Sequence, residues 1–161
     1  MSTGSLLIVW HSRTGTSEQL ARAAADGAGE GGVLLRAEDC APADLLSAGG
    51  YLFCCPENLA SMSGAMKEMF DRCYYPVLGQ IEGRPYATII AAGSDGEGAQ
   101  RQIDRIATGW RLKRATEPWI VNTDAQEPEE ILAEKTVAQN DIDQARQLGE
   151  AMAEGLAQGI F

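Results

Sequence analysis

The fold of this chain is decided by residues 6–18, which read Leu6-Leu7-Ile8-Val9-Trp10-His11-Ser12-Arg13-Thr14-Gly15-Thr16-Ser17-Glu18. The apolar run over residues 6–10 is typical of a buried β-strand. From Ser17 to Ala28 the apolar residues recur at helical spacing, which predicts an amphipathic helix. The sequence therefore predicts a strand, a short loop and a helix in direct succession.

The loop between this strand and helix is suited to hold an anion. A helix N-terminus presents unpaired N–H groups and a partial positive charge. The hydroxyls of Ser12, Thr14, Thr16 and Ser17 add donors, and Gly15 allows a ligand to come close to the backbone. Neither the Gly-Lys-Ser/Thr ending of a nucleoside-triphosphate loop nor the three spaced glycines of a dinucleotide fingerprint is present. A monophosphate is the ligand that this loop favours.

Apolar runs and helical patterns alternate along the rest of the chain. Runs of apolar residues predict four further strands at Val33–Arg36, Tyr51–Cys55, Tyr86–Ala92 and Trp119–Val121. Helical spacing predicts helices at Pro42–Ser47, Ser63–Cys73, Ala99–Trp110 and Asp141–Gln158. Pro56 is expected to stop the third strand, and the irregular stretch Thr123–Asn140 is expected to contain at most a short helix. This alternation predicts an α/β domain over residues 1–161, with a five-stranded parallel sheet covered by helices on both faces.

Three loops are expected to meet at one edge of that sheet. In parallel sheets, ligands bind at the carboxyl ends of the strands, where the strand order reverses. The loops after strands 1, 3 and 4 are Ser12–Ser17, Pro56–Ser61 and Gly93–Gly98, and all three are short and rich in glycine or hydroxyl groups. We therefore expect these loops to form one crevice.

Charge and cysteine usage limit the classes of function. Thirteen basic and 23 acidic residues give a net charge of −10, which repels nucleic acid and anionic lipid. The four cysteines show no metal-ligand spacing, and Cys54 and Cys55 lie in a predicted central strand. No metal site is expected, and buried free thiols indicate a reducing compartment, the cytoplasm.

Several of these motifs together resemble the flavodoxin-like FMN proteins. The loop over residues 12–18 looks like the flavodoxin phosphate loop. The stretch Pro56-Glu57-Asn58-Leu59-Ala60-Ser61-Met62-Ser63-Gly64, with the helix after it, is similar to the second loop of WrbA-type NAD(P)H:quinone oxidoreductases and NADPH-dependent FMN reductases. Gly83-Arg84-Pro85 and Gly93–Gly98 occupy the places of that group's entry turn and third flavin loop. This chain differs in having Glu57–Ala60 where the group usually has an arginine, an aromatic residue and a glycine.

The resemblance implies a fold, a cofactor and a set of binding residues. The fold would be a flavodoxin-like three-layer sandwich with strand order 2-1-3-4-5. The cofactor would be FMN, reduced by NAD(P)H, with a quinone or similar small molecule as acceptor and no catalytic side chain. Possible oligomers are a homodimer or homotetramer. The FMN-binding residues would be Ser12, Arg13, Thr14, Gly15, Thr16, Ser17, Pro56, Glu57, Asn58, Leu59, Ala60, Ala92, Gly93, Ser94 and Gly96.

One other function stays open at this point. A flavodoxin that carries single electrons to a protein partner would share the fold, and the acidity and short length favour it. The absence of a tyrosine in the third loop favours the reductase instead. A receiver domain is excluded because His11-Ser12 and Pro56 stand where it needs acidic residues, and a serine hydrolase because no Gly-x-Ser-x-Gly occurs. If Glu57 lies close to the flavin, we expect its charge to disfavour the reduced anion.

Overall fold

The computed structural model describes residues 4–161, and residues 1–3 of the predicted domain lie outside the described part. The strands are β1 (Leu6–Trp10), β2 (Gly32–Arg36), β3 (Gly50–Asn58), β4 (Ser61–Met62), β5 (Pro85–Ala92), β6 (Lys113–Arg114) and β7 (Trp119–Asn122). The α-helices are α1 (Thr16–Ala28), α2 (Pro42–Ser47), α3 (Gly64–Val77), α4 (Glu97–Gly109), α5 (Pro128–Leu132) and α6 (Gln139–Gln158). Short 3₁₀ turns lie at Gly29–Gly31 and Ala37–Asp39.

The parallel sheet has the predicted strand order. It runs β2-β1-β3-β5, and both β6 and β7 pair with β5. β7, the predicted fifth strand, pairs with the end of β5 at Ala92, and the short strand β6, which was not predicted, pairs with its start at Pro85. The predicted flavodoxin-like fold is confirmed.

Alternate residues of the central strands supply the two halves of the core. In β1, Leu7 and Val9 pack with α2, α3 and α4, whereas Leu6 and Ile8 pack with α1 and α6. This alternation follows from the two-residue period of a strand. Every residue of β1 and β5 is buried, because helices cover both faces of a parallel sheet.

The third strand does not end at Pro56 as the sequence predicted. Proline lacks only its own N–H, and here Pro56 still aligns with Ala91 of β5 and accepts a hydrogen bond from the Ser63 N–H. β3 therefore continues to Asn58 and turns back through β4 as an antiparallel hairpin. The hairpin extends the second loop beyond the parallel sheet.

The other predicted elements are present with shifted ends. α3 continues to Val77, with Pro76 in its last turn, and α6 begins two residues earlier than predicted. The long irregular stretch contains one short helix, α5. Within residues 4–161, no helix is long and apolar enough to cross a membrane.

Candidate functional site

A cleft opens at the carboxyl ends of β1, β3 and β5, where the strand order reverses. The space in and at the mouth of this cleft is about 450 Å³, and part of it is open to solvent. The residues that line it are Ser12, Arg13, Thr14, Thr16, Ser17, Pro56, Glu57, Asn58, Ala91, Ala92, Gly93, Thr123, Ala125, Ile131 and Lys135. The three predicted loops thus all contribute to this cleft, together with a fourth segment.

The first loop delivers the open N-terminus of α1 to the cleft. Gly15 precedes the helix with φ of 105°, a left-handed conformation that favours glycine. The Ser12 hydroxyl oxygen accepts a hydrogen bond from the Gly15 N–H at 3.0 Å, which fixes the turn. No side chain caps α1, so the N–H groups of its first turn are available to a ligand.

Two hydroxyl groups of this first turn are buried without a partner. Thr16 is 4% exposed and Ser17 is 1% exposed, and neither side-chain oxygen has a hydrogen-bond partner in the structure. An unsatisfied buried hydroxyl costs on the order of 1–3 kcal/mol, so such groups need a reason to persist. An anion at the α1 N-terminus would accept hydrogen bonds from both hydroxyls and from the helix amides. These groups suit a phosphate.

The second loop is tied to the start of α4 through Glu57. Its carboxylate accepts hydrogen bonds from the N–H groups of Gly96 at 2.8 Å and Ala99 at 3.1 Å. The positive end of the helix therefore balances part of the negative charge of Glu57. That Glu57 disfavours a reduced, anionic flavin stays a prediction. It now concerns a carboxylate that already accepts two hydrogen bonds from backbone N–H groups.

The tip of the second loop projects away from the cleft. Leu59 and Ala60 form the turn between β3 and β4 with φ of 53° and 64°, values that L-residues seldom adopt. Leu59 is 98% exposed, and neither residue lines the cleft. Such strain is retained where the surroundings impose it, often at ligand-binding loops.

The third loop contributes fewer residues than the sequence predicted. Ala92 and Gly93 line the cleft, whereas Ser94 and Gly96 do not. The Ser94 carbonyl accepts a hydrogen bond from the Asn122 amide at 2.7 Å, and the Gly96 N–H is used by Glu57. Gly15 also does not line this cleft and borders a neighbouring cavity instead.

The fourth segment was not found by sequence reasoning. We call residues 123–137 the strap, because they run from the end of β7 across the cleft to α6. Thr123, Ala125, Ile131 and Lys135 of the strap line the cleft. The backbone N–H of Lys135 donates to the Thr14 carbonyl at 2.8 Å, so the strap reaches the first loop directly. Its acidic, aperiodic sequence carries no signal for this placement.

His11 lies at the end of β1 beside the first loop, outside the lining of the cleft. It is half-buried, and its Nδ1 has no hydrogen-bond partner. Burial lowers its pKa, which Glu38 opposes and Arg36 reinforces. The ring is therefore kept neutral, which does not suggest an acid–base role.

Fold and cleft define a flavodoxin-like α/β protein in which a helix N-terminus without a side-chain cap lies at the point where the strand order reverses. The model of the NADPH-dependent FMN reductases matches residues 41–126, slightly more than half of the chain. The chain belongs to that family, so it is in class an FMN-binding oxidoreductase, and the predicted resemblance is confirmed. A search of curated protein sequences finds no match.

Solved structures share the fold at low sequence identity. A flavodoxin from the domain Archaea has a TM-score of 0.75 at 17% identity, over 94% of this chain and 98% of that one. A WrbA-like flavodoxin from Agrobacterium tumefaciens has a TM-score of 0.68 at 16% identity, over 96% and 98%. A flavodiiron protein from Giardia intestinalis has a TM-score of 0.74 at 19% identity, over 94% of this chain but 36% of that protein. These similarities show the fold alone.

Proposed function

We propose that FMN binds in the cleft with its phosphate at the N-terminus of α1. The observation that carries this proposal is the pair of buried hydroxyls on Thr16 and Ser17 that have no protein partner. Arg13 and Lys135 also line the cleft and supply positive charge for a phosphate dianion. The backbone around Ala92 and Gly93 offers N–H and C=O groups for the polar edge of the flavin ring. Residues Pro56 to Asn58 would border the same ring.

We propose further that the protein is an NAD(P)H-dependent oxidoreductase that reduces a quinone or a similar small acceptor. In the overall reaction NAD(P)H becomes NAD(P)⁺, and the acceptor gains two electrons and two protons, one of them from solvent. FMN, when bound, supplies the redox chemistry, and the protein supplies position and electrostatics. Among the described residues that line the cleft, Glu57 is the single carboxylate, and it is held by α4. This arrangement supports a site without a catalytic side chain.

A one-electron carrier that serves a protein partner is the second candidate. It is favoured by the net charge of −10, which suits docking to a basic redox protein. The first candidate is favoured by membership of the NADPH-dependent FMN reductase family. The two differ in their response to a nicotinamide.

The test is an absorption spectrum of the purified protein, repeated after FMN and then NADH or NADPH are added without oxygen. Bound flavin that bleaches fully with either nicotinamide, and is reoxidised by a quinone, is the expected result. Bound flavin that ignores both nicotinamides but is reduced stepwise by dithionite would identify the electron carrier instead. Absence of any flavin binding with excess FMN would overturn both.

Two further features of this proposal concern the state of the protein. The four described cysteines are free and buried, which supports a reducing compartment such as the cytoplasm. A homodimer or homotetramer is proposed from the family resemblance. Light scattering on the FMN-loaded protein tests that state, and a monomer would contradict it.

A further inference from the structure

The strap is held on the first loop mainly through one side chain, Gln19 of α1. Its amide nitrogen donates to the carbonyls of Gly15 at 2.9 Å and Lys135 at 2.8 Å. Its amide oxygen accepts from the Val137 N–H at 3.1 Å. One side chain therefore joins the first loop to two residues of the strap, which lie more than a hundred positions away in sequence.

Apart from the Gln19 bonds, the strap is held by the Lys135 N–H, which donates to the Thr14 carbonyl, and by Ala125 and Val137, which pack against the core near its two ends. No residue of α5 is buried, and Ile131 and Leu132 are 44% and 56% exposed. The ammonium of Lys135 bonds the carbonyls of Glu130, Ile131 and Ala133, all within the strap itself. Because residues 126–134 are all exposed, the hydrogen bonds that Gln19 and the Lys135 N–H make with the first loop decide where the middle of the strap lies.

The position that Gln19 imposes matters for the cleft. Lys135 borders the cleft and two neighbouring cavities that adjoin the first loop. Ile131 brings an apolar side chain to the same cleft. A strap held in this place therefore adds the positive charge of Lys135 and the apolar side chain of Ile131 to the lining of the cleft. Because the ammonium already donates to three strap carbonyls, it acts on a phosphate through its charge and not as a hydrogen-bond donor.

We infer that Gln19 is a positioning residue that couples the order of the strap to the binding of a phosphorylated flavin. This inference rests on the proposed function. Because coupling is reciprocal, a strap held by Gln19 slows the release of FMN, and bound FMN further orders the strap. Riboflavin lacks the phosphate that Lys135 attracts, so its binding depends less on Gln19.

The test compares Gln19→Met, which keeps side-chain volume but loses all three hydrogen bonds, with the wild-type protein. Hydrogen exchange is measured first without FMN, at the amides of Lys135 and Val137. The release rates of FMN and riboflavin are then measured by stopped-flow fluorescence. We expect exchange at both amides and the FMN release rate to rise about tenfold or more, and riboflavin release to change much less. The control is Gln147→Met, at an exposed position on α6. It should leave hydrogen exchange in the strap, the FMN release rate and the riboflavin release rate unchanged.

The outcomes separate the inference from the proposed function. Unchanged hydrogen exchange at Lys135 and Val137 in Gln19→Met overturns the inference that Gln19 holds the strap in place. Faster exchange with unchanged FMN release, or with equal effects on FMN and riboflavin, overturns the coupling. If the wild-type protein fails to bind FMN, the proposed function fails together with the coupling. The exchange measurement still shows whether Gln19 holds the strap in place.

Discussion

At the scale of single residues, the structure shows two kinds of polar group: those that form hydrogen bonds within the fold, and those that are buried without a partner and can bind a ligand. Tyr51 and Arg84 show the first kind, since the Tyr51 hydroxyl donates to the Leu45 carbonyl at 2.6 Å and Arg84 donates to three carbonyls at the C-terminal end of α2. Thr16 shows the second kind, because its hydroxyl is buried without a partner. Substitutions at the two kinds of residue should therefore act on different measurements.

Thr16→Val removes one unpaired hydroxyl and keeps the shape of the side chain. We expect the free energy of unfolding without FMN to stay the same or to rise by about 1 kcal/mol, because a buried unsatisfied group is lost. The affinity for FMN should fall about tenfold, since a hydrogen bond to a charged phosphate is lost. Urea unfolding and fluorescence titration measure the two effects. Thr108→Val, on the exposed side of α4, is the control, and a Thr16→Val protein with unchanged FMN affinity would contradict the assignment.

Gly15→Val should obstruct the first loop. A valine at φ of 105° is strained by about 1–3 kcal/mol, and its Cβ would lie 3.2 Å from the Gln19 amide nitrogen. We expect FMN affinity to fall more than tenfold. Gly79→Val is a matched control, because Gly79 also has a positive φ, of 80°, but has open space around it and does not line the cleft. Equal FMN affinity in the two folded variants would show that Gly15 has no part in binding.

At the scale of elements, close packing of α1 on α6 sets the position of the first loop. A Cβ at Gly27 would lie 1.9 Å from the Arg146 carbonyl oxygen, and one at Gly149 would lie 1.9 Å from the Ala24 carbonyl oxygen. At both contacts a glycine of one helix lies against a backbone carbonyl of the other, so the two helices approach each other closely where a side chain is absent on one of them. The N-terminus of α1 is thereby fixed relative to α6 and to the strap that precedes α6.

Gly149→Ala should force these two helices apart. A carbonyl oxygen at 1.9 Å cannot be accommodated by side-chain rotation, so we expect a loss of about 1–3 kcal/mol in the free energy of unfolding. Urea unfolding monitored by tryptophan fluorescence measures this loss. Gly64→Ala in the first turn of α3 is the control, since no atom lies within 4 Å of its added Cβ. A Gly149→Ala protein as stable as Gly64→Ala would mean that the helices are less closely packed than the structure shows.

Elements also show where sequence reasoning succeeds. The alternation of strand β1 and the helical spacing of α1 are local patterns, and both elements form within one residue of their predicted ends. The hairpin after Pro56 was missed because its pairing partner, β4, has only two residues and no pattern of its own. Strand β6 was missed for the same reason, since Lys113–Arg114 has only two residues and no apolar run.

At the scale of the whole molecule, pH should limit stability on both sides of neutrality. Burial lowers the pKa of His11 from 6.5, so the unfolded chain binds its proton first and stability falls as the pH drops below about 6.5. Burial raises the pKa of Cys55 from 9.0 to about 12, so its thiol ionises first in the unfolded chain and stability falls as the pH rises above about 9. Urea unfolding at about pH 5.5, 7.5 and 10 measures both slopes. His11→Asn should flatten the acid side, and Cys55→Ala should reduce the alkaline slope only in part, because burial also raises the pKa values of Cys54 and Tyr51. Unchanged slopes would contradict the assignment.

The layers of this protein and the chemistry of its first loop follow from the amino-acid sequence alone. The spacing of apolar residues in strands and helices, and the hydroxyl-rich start of a helix, are properties of neighbouring residues. They can therefore be predicted from the sequence. Three features became visible in the folded chain. The Glu57 carboxylate accepts hydrogen bonds at the start of α4, Leu59 and Ser94 lie outside the cleft, and the strap crosses the cleft. The reason is physical, because each of these outcomes depends on hydrogen bonds between residues far apart in the chain. The bond between Gln19 and Lys135 joins positions 116 residues apart, and no local pattern encodes it.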